Sequence, residues 1–389
     1  MIYFILSTLL FVAGLVIIYW LHNQYHLDII VRPVDPLSSA PMVSVCIPAR
    51  NEERNIRACV DAVLNQTYPN FEVIVVDDRS TDGTSEILRS IQNDKLRIVN
   101  GSDLPSGWAG KPHALCQAAQ AACGERSEWL CFIDADTFLA PEALASCYVK
   151  AIETNADLFT MMTFQVTATF WERVVLPLVM TALSVGFSPR KVNDPQRKDA
   201  IANGQFIFIK RSAYDAIGGH ESVKDQIVED KAISEKVKWG GYRLVVADGM
   251  HVARTRMYTS LSELWEGWTK NIYLGLCEQV ALMVLGAFGA FVSVVAALVL
   301  PLWPLLGLLW VFHGGGWMAI VVIFEALILW GVLIYFRAVV AHNMHIPRGY
   351  ALTTPLGAAI FAAMMFTSTW KVISGQGVTW HGRKYKPAR

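Results

Sequence analysis

Asp134 and Asp136 stand two residues apart at the end of an apolar run, Trp129 to Ile133, and Thr137 follows them. Residues i and i+2 of a strand point to one face. If extension persists past Ile133, both carboxylates reach one site, where a divalent cation can neutralise a phosphate. A short acidic triplet also suits a solvated loop, so its neighbours decide. Three polar clusters precede it in order: Pro48-Ala-Arg-Asn51-Glu52, Asp77-Asp78-Arg-Ser-Thr-Asp82-Gly83 and Gly107-Trp108-Ala-Gly110-Lys111. Lys111 at a helix start suits a diphosphate. Downstream, Val228-Glu229-Asp230 offers two more carboxylates. Taken as bare residues, these are ordinary first-turn acids favoured by the helix dipole. The chain has no G-x-x-x-x-G-K-S/T, and no G-x-G-x-x-G follows its first strand, so ATP-loop and dinucleotide sites are unsupported.

The elements that must position these clusters alternate. Val43–Pro48, Glu72–Asp77, Leu96–Asn100 and Leu130–Asp134 read as strands, and Asn55–Leu64, Thr84–Ile91 and Leu115–Ala122 as helices. Leu158–Thr167 and Gln205–Ile209 continue the sheet, Val228–Trp239 is helical, and Tyr242–Ala247 closes it. The pattern predicts an α/β domain with a mainly parallel, Rossmann-like sheet wound on both faces. Every cluster then falls at a strand end or helix start, where such sheets bind ligands.

Hydrophobic residues make up 53% of the chain and charged residues 17%, with a mean hydropathy of +0.36, which is too apolar for an ordinary soluble enzyme. Net charge is zero, so no global field points to nucleic acid. Residues 2–20 carry no charge, 279–336 only Glu325, and 351–370 none. We expect an N-terminal transmembrane anchor (1–22), a linker (23–42), a catalytic domain (43–260) and an interfacial amphipathic helix (261–278). Three or four transmembrane segments (279–370) and a basic cytoplasmic tail (371–389) complete the plan. The anchor is read as uncleaved, because no basic residue precedes it. Arg32, Arg50, Arg54 and Arg57, and the tail's Lys371, Arg383, Lys384, Lys386 and Arg389, place domain and tail in the cytoplasm of a bacterial-type membrane. Pro301 and Pro304 interrupt 280–312, which reads as one kinked span or a tight hairpin of two; an even number of C-terminal crossings favours the hairpin or makes one later segment re-entrant, although Arg337 and Arg348 pull the other way. Cys46, Cys59, Cys116, Cys123, Cys131, Cys147 and Cys277 include no C-x-x-C pair and read as reduced, buried residues.

Taken together, the ordered clusters resemble the GT-A fold of family 2 glycosyltransferases over roughly residues 43–275. The resemblance implies an inverting enzyme that uses a nucleotide sugar, usually a UDP-sugar, with Mg²⁺ or Mn²⁺. Carried onto this chain, it implies that Glu52 and Asp78 contact the uridine and that Lys111 sits by the diphosphate. Asp134 approaches the ribose or sugar-diphosphate and Asp136 ligates the metal, with Asp134 beside it. Asp230 is the implied general base, with Glu229 the alternative. Gly218-Gly219-His220 lies on the acceptor side, where His220 is either an acceptor contact or a turn residue. His113 reads as structural.

Synthases and the more distantly similar ceramide glucosyltransferases carry Q/R-x-x-R-W after the base. Here Arg254-Thr-Arg256-Met257-Tyr258 keeps an arginine and lacks the tryptophan, which counts against a processive polysaccharide synthase. Arg256, with Arg254 competing, would hold the departing diphosphate. Gly107–Lys111, Arg256–Tyr258, Glu266–Lys270 and the tail Trp380–Tyr385 look like the membrane glycosyltransferases of hopanoid and carotenoid pathways. That narrower resemblance implies a lipid or terpenoid acceptor. A non-catalytic scaffold of the same fold would need losses among these carboxylates, and all are present.

Overall fold

A computed structural model describes residues 1–24, 27–122, 127–276, 280–380 and 383–385. Cys123, Cys277, His381, Gly382, Lys386 and Arg389 lie outside the described residues. In chain order the elements begin with α1 (Ile2–Gln24), β1 (Met42–Ala49), α2 (Ile56–Leu64), β2 (Phe71–Asp77), α3 (Thr84–Arg89) and β3 (Leu96–Asn100). There follow α4 (Gly110–Ala121), β4 (Ser127–Ile133), β5 (Thr137–Leu139), α5 (Ala143–Glu153), β6 (Leu158–Met162) and β7 (Phe164–Gln165). Next come α6 (Phe170–Gly186), α7 (Pro189–Asn193), β8 (Phe206–Lys210), α8 (Arg211–Ala216), α9 (Glu229–Trp239), β9 (Leu244–Asp248) and β10 (Ala253–Thr255). The C-terminal part holds α10 (Leu261–Leu276), α11 (Val280–Val299), α12 (Trp303–Phe312), α13 (Gly316–Asn343), α14 (Thr354–Ile373), β11 (Val378–Trp380) and β12 (Arg383–Tyr385).

Packing divides the chain into two compact units: Leu27–Val166 with Phe187–Met257, and Met1–His26 with Thr167–Gly186 and Tyr258–Arg389. The first is built on a sheet of order β3-β2-β1-β4-β8-β6-β9. Its strands pair in parallel except at β8, which runs antiparallel to β4 and β6. Alternation sends the side chains of each central strand into two cores. Val43, Val45 and Ile47 of β1 join one core with Cys131 of β4. Cys46 and Leu130 join the other. Helix α2 covers the first core with Ile56, Cys59, Val60 and Val63, spaced as one face of a helix. Helices α4 and α9 cover the second. The chain turns outward from β1 to β2 and β3, then returns to β4 on the other side. The crevice of such a sheet opens at that switch, outside the C-terminal ends of β1 and β4. A second sheet, β5-β10-β7, lies beyond β4. All five described cysteines are free and buried.

Among the described residues of the other unit, four helical stretches are long and apolar enough to cross a membrane: Ile2–Asn23, Val280–Val299, Gly316–Asn343 and Arg348–Ile373. The expected hairpin breaks near Pro301 as read, but its second limb, α12, has 10 residues. At 1.5 Å per residue that is about 15 Å, half a bilayer core. Glu325 of α13 is buried and accepts hydrogen bonds from Ser7 Oγ (3.0 Å) and Thr8 Oγ1 (2.8 Å) of α1. These two donors satisfy a carboxyl that apolar surroundings would otherwise penalise. On α10, Leu264 and Trp268 are buried, and Trp268 packs on Tyr258 at 6.4 Å between ring centroids.

Gly101 follows β3 and donates its N–H to the Asp77 carbonyl at 2.9 Å. A Cβ there would stand 2.9 Å from that oxygen and 3.0 Å from the Asp78 Cα. Backbone cannot yield as a side chain can. Gly101→Ala should therefore destabilise the protein by about 1–3 kcal/mol, read from its chemical-denaturation midpoint. An unchanged midpoint would contradict this packing.

Candidate active site

The loops after β1 and β2 clasp one another. Glu52 N–H donates to Thr84 Oγ1 at 2.8 Å, Thr81 N–H to Asn51 Oδ1 at 2.8 Å, and Gly83 N–H to Glu53 Oε2 at 2.9 Å. Asn51 and Arg79 each adopt φ 55°, a left-handed conformation that side-chain residues hold only under constraint. Asp78 is buried beneath this clasp, with Arg50 and Arg79 each 3.6 Å from its carboxylate. The side chain of Glu52 accepts from Asn55 at 3.3 Å. Burial, then the charges of Asp134 and Asp82, push its carboxyl up to about 7 against that hydrogen bond.

Strand β4 ends at Ile133, and Asp134–Thr137 forms a turn closed by Thr137 N–H to the Asp134 carbonyl at 3.0 Å. Extension does not persist past Ile133 as expected. The turn, with Ala135 buried inside it, is what brings the two carboxylates together. Oδ1 of Asp136 is buried without a hydrogen-bond partner. Burial first, then Asp134 and Glu52, raise its pKa well above the carboxylate range. A buried carboxyl oxygen without a partner, beside other carboxylates, fits a hard divalent cation, whose charge would favour the ionised form. Among the described residues, no group of three or more His, Cys, Asp or Glu could hold a metal. Mg²⁺-type ions bound through one or two carboxylates complete their shell with phosphate and water, so Asp136 with Asp134 is a fitting half-site.

Helix α4 starts at Gly110, five residues before the expected Leu115, so Lys111 lies in its first turn. Gly107 at φ 82° and the hydrogen bond from Ala109 N–H to the Lys224 carbonyl (2.6 Å) set that start. Lys111 Nζ is 2.7 Å from Asp134 Oδ1 and 2.7 Å from Glu229 Oε1. Burial alone would lower the lysine's pKa, but Asp134, Glu229 and Asp230 hold it well above its usual value. Glu229 is only 3% exposed. Asp230, next on α9, is less buried and accepts from Gly204 N–H at 3.0 Å and Lys231 N–H at 2.7 Å. Burial raises the pKa of both acids, and Lys111 opposes it.

Gly204 escaped the sequence reading. A Cβ there would lie 2.8 Å from Asp230 Oδ2 and 3.3 Å from Lys111 Nζ, a closeness that only this long-range packing reveals. The two arginines separate by strand alternation. Arg254 is exposed, 5.9 Å over the Phe138 ring. Arg256 is half-buried. Thr255, between the two arginines, pairs with Thr137, the residue that closes the Asp134–Thr137 turn. His220 is 1% exposed, edge-on to Phe132 and 2.9 Å from Tyr214 OH through Nδ1. Burial, then Lys111, push its pKa down to about 3. It is a neutral packing residue. His113 is also buried, against Trp108 and Gln117.

The profile described as "Glycosyl transferase family 2" matches residues 44–218. A 4,4'-diaponeurosporenoate glycosyltransferase of Staphylococcus aureus (strain MRSA252) is 31% identical over 261 residues, 65% of this chain and 67% of the relative. The protein of that name from strain USA300 is 29% identical over 259 residues, with 65% and 67% covered. Among solved structures, mannosyltransferase PcManGT from Pyrobaculum calidifontis, in complex with GDP-Man and Mn2+, superposes with a TM-score of 0.53 at 19% identity. The match covers 95% of this chain and 97% of that one.

The raised Glu52 carboxyl has a consequence for stability. Between its ordinary 4.5 and about 7, the folded state holds a proton that the unfolded chain releases. Stability therefore falls as pH rises through that window. Glu52→Gln removes this contribution. Its melting temperature should drop less between pH 5 and pH 8 than that of the wild type. Equal drops would contradict the assignment.

Proposed function

The chain belongs to glycosyltransferase family 2 and is a GT-A-fold glycosyltransferase; from that premise we propose that it moves a sugar from a UDP-sugar to a hydroxyl or carboxyl of a membrane lipid or terpenoid, with inversion. The observation that carries this reading is Lys111 bridging Asp134 and Glu229. It ties the donor side of the crevice to the helix bearing the proposed base. Two further findings support a hydrophobic acceptor. Among the described residues, four helices are long and apolar enough to cross a membrane, and the Staphylococcus relatives are named for 4,4'-diaponeurosporenoate. In this reading the catalytic unit is cytoplasmic, as the basic flanking residues expect.

Glu52 and Asp78 hold the uridine at the clasped loops. Asp136, with Asp134 beside it, would hold a Mg²⁺ or Mn²⁺ ion, which would supply neutralisation of the diphosphate. Lys111 and Arg256 stabilise the charge that grows as the anomeric carbon–oxygen bond breaks. Asp230 takes the proton of the acceptor hydroxyl as its oxygen bonds to that carbon from the opposite side. A carboxyl acceptor is already ionised and attacks directly. We assign the base to Asp230 rather than Glu229 because Glu229 is more deeply buried and ion-paired with Lys111.

The test is transfer of radiolabelled sugar from a panel of UDP-sugars into organic-extractable lipids of membranes containing the protein. The wild type should label a discrete lipid, and Asp136→Ala should not. With a hydroxyl acceptor, Asp230→Asn should keep nucleotide affinity and lose turnover by roughly 10²–10⁴-fold. Label confined to large water-soluble material would instead identify a polymer synthase. Full turnover in Asp230→Asn would move the base to Glu229.

A further inference from the structure

The turn carrying Asp134 and Asp136 and the loop that holds Asp230 are linked by buried side-chain hydrogen bonds that the mechanism above does not use. Thr137 Oγ1 lies 3.3 Å from Thr255 Oγ1. Thr255 Oγ1 donates to Thr163 Oγ1 at 3.2 Å, and Thr163 Oγ1 donates to Gln205 Oε1. A hydroxyl has one proton. Thr255 spends its proton on Thr163, so Thr137 is the donor to Thr255. All three hydroxyls then point the same way, towards Gln205, and polarise one another. The four residues are buried. Gln165 Nε2 braces the end of the chain, donating to Gln205 Oε1 at 3.0 Å and to Thr163 Oγ1 at 2.9 Å.

Gln205 follows Gly204, the residue whose N–H donates to Asp230 Oδ2. On the other side of Gly204, Asn203 is fixed to the edge of β6. Its N–H donates to Thr160 Oγ1 and its Nδ2 to the Met161 carbonyl, both at 2.9 Å. Gly204 is thus held on both flanks, with no side chain of its own to keep it from the carboxylate. Valines would fill the threonine positions at similar volume without polar atoms to satisfy. A buried polar chain stabilises little beyond such packing, but it fixes register.

We infer that Gly204 and Gln205 form a base-positioning loop, registered to the Asp134–Thr137 turn through Thr163 and Thr255. The inference rests on the function proposed above. These are positioning residues. They set where the Asp230 carboxylate stands relative to the leaving group, and a displacement of about 1 Å there costs on the order of 100-fold in rate.

The test uses the full-length protein in membranes, with the donor and lipid extract that support wild-type transfer. Thr255→Val removes the central hydroxyl and keeps the shape, whereas Thr255→Ser keeps the hydroxyl and loses a methyl. Thr255→Val should lower kcat roughly 10- to 100-fold, leave the donor KM within about twofold, and leave donor binding intact. Thr255→Ser should restore most of the kcat. Thr163→Val, one link further, should repeat the loss, so the result does not hang on one variant's folding. Full kcat in both valine variants would overturn the inference while leaving the proposed function standing. Equal loss in Thr255→Ser and Thr255→Val would mark a packing role and also overturn it. A wild type that transfers no sugar from any donor would overturn both readings.

Discussion

The ammonium of Lys111 sits 2.7 Å from carboxylates of two distant segments, Asp134 and Glu229, and the catalytic crevice depends on that contact. Asp134 acts electrostatically on Glu52, Asp136, Glu229 and Asp230. Burial raises the pKa of four of them, so the crevice would take up protons if nothing opposed it. Lys111 opposes it from the first turn of α4, where helix geometry and the Gly107 turn fix its position. A cation there ties the turn after β4 to the first turn of α9.

Much of this was legible in the sequence, for physical reasons. Strand β2 carries an apolar run, Val73–Val76, bounded by polar residues, and α2 shows a clean helical face. Each cluster therefore fell at the strand end where the fold needs it. The reading failed where pairing is long-range. Strands β5 and β10 have three residues each, too few for a period of two to show, and they are defined by long-range pairing within the β5-β10-β7 sheet. Without them neither the Asp134–Thr137 turn nor the separation of Arg254 from Arg256 can be read. Gly107–Lys111 reads as the opening of α4, while the helix itself is counted only from Leu115; its first turn reaches back to Gly110 and takes in Pro112, a position where proline is tolerated. Gly204 was invisible for the opposite reason: a glycine in a loop is unremarked until its neighbours are known.

The apolar segments were read from charge depletion, and four emerge as helices long enough to cross a membrane. What depletion cannot show is how apolar helices recognise each other. Glu325 looked like a lone defect in a hydrophobic run, yet Ser7 and Thr8 of α1 complete it. Short apolar helix α6 likewise belongs with this unit rather than with the sheet that its flanking sequence serves.

The most direct test of the central claim is a double-mutant cycle between Lys111→Met and Glu229→Gln, read in both kcat/KM and unfolding free energy. If the lysine couples the two sides of the crevice, its loss should matter far less once Glu229 is neutral. The coupling should then be about 1–3 kcal/mol. Strictly additive effects would mean that Lys111 and Glu229 act independently, and the crevice would have to be explained without the bridge.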